Sequence, residues 1–545
     1  MMKKFNKDKY LKKLRFKKYK RYLYIGIPCI LVLLLGIYFA YSKFSVFKEE
    51  EVVRTTVGDF IQGDIVVGAY IDGEYSKSIP GKNDGYVVDK IVCDNDALAS
   101  WDNDTWGIVL TNLTKRTKCN VYFKKYSPAD KVVAQLDTTG KCPDMNSDGT
   151  ISLTALATVE STNGYLCKTK DAYGDSYYYR GNVTNNYVKF AGFYWRIVRI
   201  NGDGSIRVIY DGTSAHVNGE ESEDRLTGTS EFNISQADNA YVGYMYGNRD
   251  AIVESTEYSS SNNFANTGTF YISKEYMFDE NKKMFTLKNP IQVLGSNFTT
   301  DYIGYYYASY TPTSLPSSVN TLYKIMDVTA GSSSATIKYG YVSYGTSSKE
   351  VAQTNTNDST IKTYLDNWYK ANILGTDNEQ YLADNIFCND RSFSLGNPGT
   401  GAGMSKTHYR WGLFADDSIS ADTIGNYKAM LFCPQQNDAF TVSDTSNGNG
   451  ALTHPIGLIS TDEVTLAGGW QSENKGYYLY SGGFYWTLTP VWFSDADAYG
   501  MYVYPNGGAF GYYTMKLSLG VRPVLNLKPE VLKLGTGTMD DPYHL

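Results

Sequence analysis

The feature that most constrains this chain is a run of twenty uncharged residues, YLYIGIPCILVLLLGIYFAY, from Tyr22 to Tyr41. As an α-helix, a run of that length spans the ~30 Å hydrocarbon core of a bilayer and satisfies every backbone N–H and C=O within itself. The 21 residues ahead of it hold eleven Lys or Arg against one acid, Asp8. Such asymmetry keeps a basic N-terminus in the cytoplasm and leaves the chain beyond the span outside. The reading is a single-pass protein of the cell membrane, with a cytoplasmic segment 1–21, a transmembrane helix 22–41 and an extracellular remainder. A cleaved signal peptide competes, because Ala40-Tyr41-Ser42 resembles a small-x-small site, but the apolar run is longer than an ordinary signal core.

The formal net charge is -6, and since residues 1–21 contribute +10 the remainder carries -16. An acidic external part argues against nucleic acid as its ligand. Seven cysteines occur, and six of them (Cys93, Cys119, Cys142, Cys167, Cys388, Cys433) lie beyond the apolar run. An even number in an exported region fits three disulfides, and six cysteines allow ~15 connectivities. Sequential pairing is the reading adopted, because each such pair brackets one local unit. Zinc fits poorly: there is no CxxC, and the four histidines are scattered.

Residues 42–54 read as a charged stalk, and 55–126 as a small β domain, with Trp101 and Trp106 in its core. Residues 127–166 read as a linker. Within them Asp144-Met145-Asn146-Ser147-Asp148-Gly149 matches the first half of a calcium loop, but Ala155 stands where the bidentate acid belongs, so a plain turn is the better reading. Beyond 167, Phe193–Ile200 and Ser205–Tyr210 flank Asn201-Gly202-Asp203-Gly204 as a hairpin. Residues Ile361, Tyr364, Leu365 and Trp368 recur at helical spacing, and Ser460-Thr461-Asp462-Glu463 is a capping box opening a short helix. The stretch 250–355, rich in Ser, Thr, Tyr and Asn, reads as a mostly β insertion. The fold class expected is thus α+β, with an N-terminal transmembrane helix.

The C-terminal part is the densest in signal. FYWTLTP (484–490) precedes two strands, Ala498–Tyr504 and Phe510–Met515, turned by Asn506-Gly507-Gly508. WRIV (195–198), IKTYLDNWY (361–369), IGLISTDE (456–463), YWTLTP (485–490) and GVRPVLNL (520–527) occur in that order. In this the chain resembles a bacterial surface-protein domain family of unknown function, with a fold akin to C-type lectins and to the formylglycine-generating sulfatase modifiers. The resemblance covers roughly residues 165–530 and implies a C-type-lectin-like domain over 167–530, leaving 531–545 as a tail.

The resemblance implies a ligand surface on late strands and loops. The matching segment offers Trp492, Tyr499, Tyr502, Tyr504, Phe510, Tyr512 and Tyr513 among small polar residues, a composition suited to adaptable contact. On a strand, however, alternate tyrosines point inward, so about half of them should be core. Asp495 and Asp497 are the candidate calcium ligands. Sulfatase-modifier chemistry uses a late cysteine pair, and this chain has no cysteine after Cys433. Asp390-Arg391 and Asp462-Glu463 supply the carboxylates available in principle for glycoside chemistry, and a salt bridge and a helix cap explain them better. The function expected is non-catalytic binding of a glycan or protein, an adhesive role at the cell surface. A structural envelope protein packing on wall polymer is the alternative, and a sulfatase-modifying enzyme a remoter one.

Overall fold

Short runs rich in Val, Ile, Tyr and Phe recur along the chain, and the regular structure of the computed structural model is accordingly mostly strands. It describes residues 53–54 and 65–545, except 83, 95–96, 112–115, 160, 257, 259, 266–267, 309–313, 396–397, 416–426, 470–472, 495 and 509–510. The chain divides into two units, Met1–Tyr126 and Ser127–Leu545.

In the first unit, strands run side by side in the order 74–76, 65–71, 117–125, 86–93. The central two are parallel, so Val67 lies opposite Cys119 and Ala69 opposite Val121. Cys119 is bonded to Cys93 on the neighbouring strand. The hairpin 98–102/107–111 brings Trp101 and Trp106 onto Phe123, the three rings meeting at 5.3–6.3 Å. Ala69, Ile108, Leu110 and Val121 complete this small core.

The second unit holds three larger sheets. One runs 456–457, 524–527, 206–212, 193–200, 174–180, 165–171, with 187–190 also on 193–200. A second runs 229–230, 519–520, 485–494, 497–503, 511–514, with 407–408 also on 485–494. The third lies wholly within 251–345, its longest strand 334–345 pairing with 321–330. Phe264, Phe270, Tyr307 and Ile337 from this third sheet belong to the same apolar core as Trp195, Leu365 and Trp486. The helix Thr360–Asn372 is capped by the Ser359 hydroxyl and buries Ile361, Leu365 and Tyr369. Its Trp368 packs edge-on against Trp195 and Tyr210 of the first sheet. Residues 127–166 belong to this unit: Asp137 N donates to Leu166 O, and Lys428–Ala429 pairs with Ile151–Ser152. The remaining disulfides are Cys142–Cys167 and Cys388–Cys433, so the pairing is sequential. Such bonds persist in oxidising compartments.

Two expectations are corrected. The fold class is mostly β, not α+β: among the described residues only one α-helix, Thr360–Asn372, exceeds seven residues. Periodicity located the helices but gave no measure of how little of the chain they occupy. The membrane location is not shown either: among the described residues no helix is long and apolar enough to cross a bilayer. Residues 1–21, the expected helix 22–41 and the stalk up to 52 lie outside the described residues.

Candidate ligand-binding site

The C-terminal sheet gathers most of the expected contact residues. Strands 485–494 and 497–503 meet at Ser494↔Asp497, and 497–503 continues to 511–514 through a turn in which Gly507 takes φ +87°. Tyr504 N donates to Gly508 O and Gly507 N to Tyr504 O, closing that turn. Strand 485–494 carries irregularities on both sides of Pro490, which has no N–H to give to the ladder. Trp486 therefore lies opposite Tyr502, whereas Trp492 lies opposite Tyr499. Positions 499 and 502 point to opposite faces, so the bulge sends the two tryptophans to opposite sides of one sheet.

On one face, Trp492, Tyr499 and Tyr512 meet edge to face at 5.2–5.9 Å. They are half-buried against a core that includes Trp411, Tyr427, Leu431 and Met501. The His408 ring lies 5.7 Å from Trp492. This trio packs more than it presents.

The other face behaves differently. Tyr502 is 5% exposed and rests on Trp486, while Tyr504 is 39%, Tyr513 48% and Phe484 43% exposed. Tyr502 lies 4.9 Å from Tyr504, and Phe484 lies 5.6 Å from Tyr502 and 6.1 Å from Tyr504. Gly511 opposes Tyr502, and a Cβ there would come within 2.5 Å of the Tyr502 ring and 2.7 Å of Tyr504. The absent side chain lets two rings lie down over the edge strand. Burial pushes the Tyr502 hydroxyl up, with Tyr504 and Tyr513 adding to it, so it stays a neutral donor. The result is an aromatic shelf of Phe484 and Tyr504 on the buried Tyr502, with Tyr513 exposed further along the same face. Phe484 escaped the sequence reading because consecutive buried Tyr485 and Trp486 hide the alternation around it.

Phe510 and Asp495 lie outside the described residues. The Asp497 carboxylate accepts from Gln236 Nε2 at 2.6 Å. Among the described residues no three His, Cys, Asp or Glu converge on a point that could hold a metal ion. In the calcium-like loop, Asp148 accepts from the Thr150 N–H and hydroxyl, and Lys428 lies 3.5 Å from it.

The carboxylates Asp390 and Asp462 do come together, around Arg410. Arg410 Nη2 is 2.6 Å from Asp462, and its Nε bonds Asp390. Burial pushes the Asp462 carboxyl up, and Arg410 and the Trp411 indole pull against it. Next to them Glu463 joins its capping box with Ser460 and meets Arg199 at 3.1 Å and Arg207 at 2.5 Å. Burial alone would raise the Glu463 carboxyl, but the two arginines outweigh it and hold it below the usual value. Arg199 also pairs with Asp171 at 2.7 Å. The cavity that these groups line, beside Cys388, is about 20 Å³. That is room for a water, not for a sugar ring.

With this geometry in view, the chain was compared with known proteins: it matches no family model, no curated protein and no solved structure.

Proposed function

We propose that this protein is a non-catalytic recognition module whose Phe484–Tyr504–Tyr513 shelf stacks on the apolar face of a glycan. The observation that carries the reading is the exposure of Phe484 and Tyr504 side by side, on a footing too tight for a side chain at Gly511, with Tyr513 exposed on the same face of the sheet. Tyr and Phe rings offer much contact area at small entropic cost, and tyrosine hydroxyls add hydrogen bonds at the rim. Adjacent exposed rings in an otherwise well-buried sheet are the kind of patch that marks a binding surface. Catalysis has little to recommend it: Asp390 and Asp462 are both engaged by Arg410, beside a cavity of water size.

The test is a glycan array probed with the full chain and with the variants Tyr504→Ala and Tyr513→Ala. A saturable signal that both variants lose supports the reading. Binding that survives both substitutions, or no binding to any glycan alongside a hit in a protein library, overturns it.

A further inference from the structure

The loop 213–225 leaves strand 206–212 and runs beside the segment that leads into the shelf. His216 is buried at its centre, with Nδ1 2.9 Å from Glu220 Oε1 and Nε2 3.0 Å from Asp224 Oδ2. Carboxylates only accept, so both ring nitrogens must donate, and a neutral imidazole has a single N–H. The geometry therefore describes an imidazolium held between two anions. The acids lie on opposite nitrogens and so do not converge on a shared cation.

Each acid also ties the loop to itself. Asp224 accepts from the Thr213 N–H and hydroxyl and from the Ser214 N–H, and Glu220 Oε2 accepts from Val217 N. The Ser214 hydroxyl of the same loop lies 3.5 Å from His216 Nε2 and donates to Asp224 Oδ2 at 3.2 Å, and the other polar and charged groups around the ring come from neighbouring elements. Tyr187 donates its hydroxyl to His216 O, and Arg225 Nη2 donates to Val217 O. Arg196 Nη1 donates to Asn218 Oδ1, and the buried Asp211 pairs with Arg225 at 3.5 Å. None of these contacts replaces a carboxylate at the ring.

The far end of the loop carries residues 480–483, which run directly into Phe484. Ser222 N donates to Ser481 O at 3.1 Å, and Glu221 accepts from the Tyr480 hydroxyl. A Cβ on Gly482 would lie 2.6 Å from the Glu221 side chain, and one on Gly483 3.3 Å from Leu226. We propose that His216 is the pin of a proton-dependent clasp that closes loop 213–225 and thereby sets Phe484 on the shelf. That the clasp regulates recognition rests on the shelf being the ligand surface; the clasp itself does not.

The clasp closes only over a window of pH. On the acid side, the hydrogen bond from His216 holds Glu220 below its usual value, and at Asp224 the bonds from His216 and Thr213 overcome the opposing effect of burial. Depressed carboxylates contribute stability above their unfolded values, and that contribution is lost as pH falls through the folded ones. On the other side, a ring with a single N–H would set acceptor against acceptor at one of the two contacts, and the clasp would open.

Two readouts on the full chain test this. The chain has four histidines, so ¹⁵N-histidine labelling gives a readable spectrum, with His216→Gln assigning the resonance. Both His216 nitrogens should show imidazolium shifts at pH 6, and their titration should coincide with faster amide exchange in 213–225 and 480–484, after correction for intrinsic rates. The acceleration expected is roughly tenfold or more, the effect of losing one hydrogen bond to a charged group. His216→Gln should exchange fast across the whole pH range, with no inflection. A neutral imidazole at pH 6, or exchange in 480–484 that ignores the titration, overturns the clasp using wild-type protein alone. Failure to bind any glycan at either pH would remove the shelf reading and leave the clasp standing.

Discussion

The cavity around Arg410 and the shelf around Tyr504 belong to the same unit, and both are rich in residues that chemistry could use. They differ in what the side chains already hold. Asp390 and Asp462 are bonded to Arg410, Glu463 to Arg199 and Arg207, and all of these acids are buried. Phe484 and Tyr504 rest on the buried Tyr502 and, like Tyr513 on the same face, leave their outer surfaces open. Charged residues in a cleft are weak evidence for chemistry when every charge has a partner within the protein. Aromatic rings held in place yet uncovered are better evidence for a ligand, because only an outside surface can complete their burial.

The comparison can be broken by substitution, beginning with the cavity. Glu463→Gln leaves two buried arginines short of an anion and should destabilise the protein by about 3–5 kcal/mol in urea unfolding, with the shelf's ligand preference unaltered. The same pairing sets a pH dependence. Glu463 is depressed, so its contribution is present above the unfolded glutamate value and falls away as pH drops through the folded one. Wild type should therefore lose stability on acidification more steeply than Glu463→Gln does.

Trp492→Ala, on the packed face of the sheet, should cost about 3 kcal/mol by leaving a cavity beside Tyr499 and Tyr512. If it cost nothing while abolishing binding, the two faces would have been assigned the wrong way round. Gly511→Ala sharpens the distinction from the other side. Its Cβ would displace the rings of Tyr502 and Tyr504, which predicts about 1–3 kcal/mol of destabilisation together with weaker binding. The smallest effect on stability belongs to Tyr513→Ala, within ~0.5 kcal/mol for an exposed side chain. Its ligand affinity should nevertheless fall roughly tenfold or more, measured by titration calorimetry on a glycan identified by the array.

Much of the local structure was legible. The hairpin 193–200/206–212, the helix 360–372 and the capping box at Ser460 arise from alternation, helical spacing and side-chain caps. Each of these is decided by residues close together in the chain. The membrane reading rested on composition in a region that the described residues do not reach. Of the seven aromatic contact candidates, Trp492, Tyr499 and Tyr512 pack together, Tyr502 supports from below, and Tyr504 and Tyr513 stand exposed. Alternation could not sort them, because irregular pairing around Pro490 resets the register of the strand they face.

What the sequence determined by itself is local: where strands turn, where a helix starts, and that cysteines six in number could close three loops. Tertiary structure decided the rest. Glu463 meets arginines 264 and 256 residues away, and nothing in the local spacing of a capping box announces that it will neutralise two buried cations. Phe484 became part of a surface because Gly511, on another strand, left room for its neighbours to lie flat. Local conformation is set by forces between near residues in the chain, whereas burial and ion pairing depend on which distant strands are laid side by side.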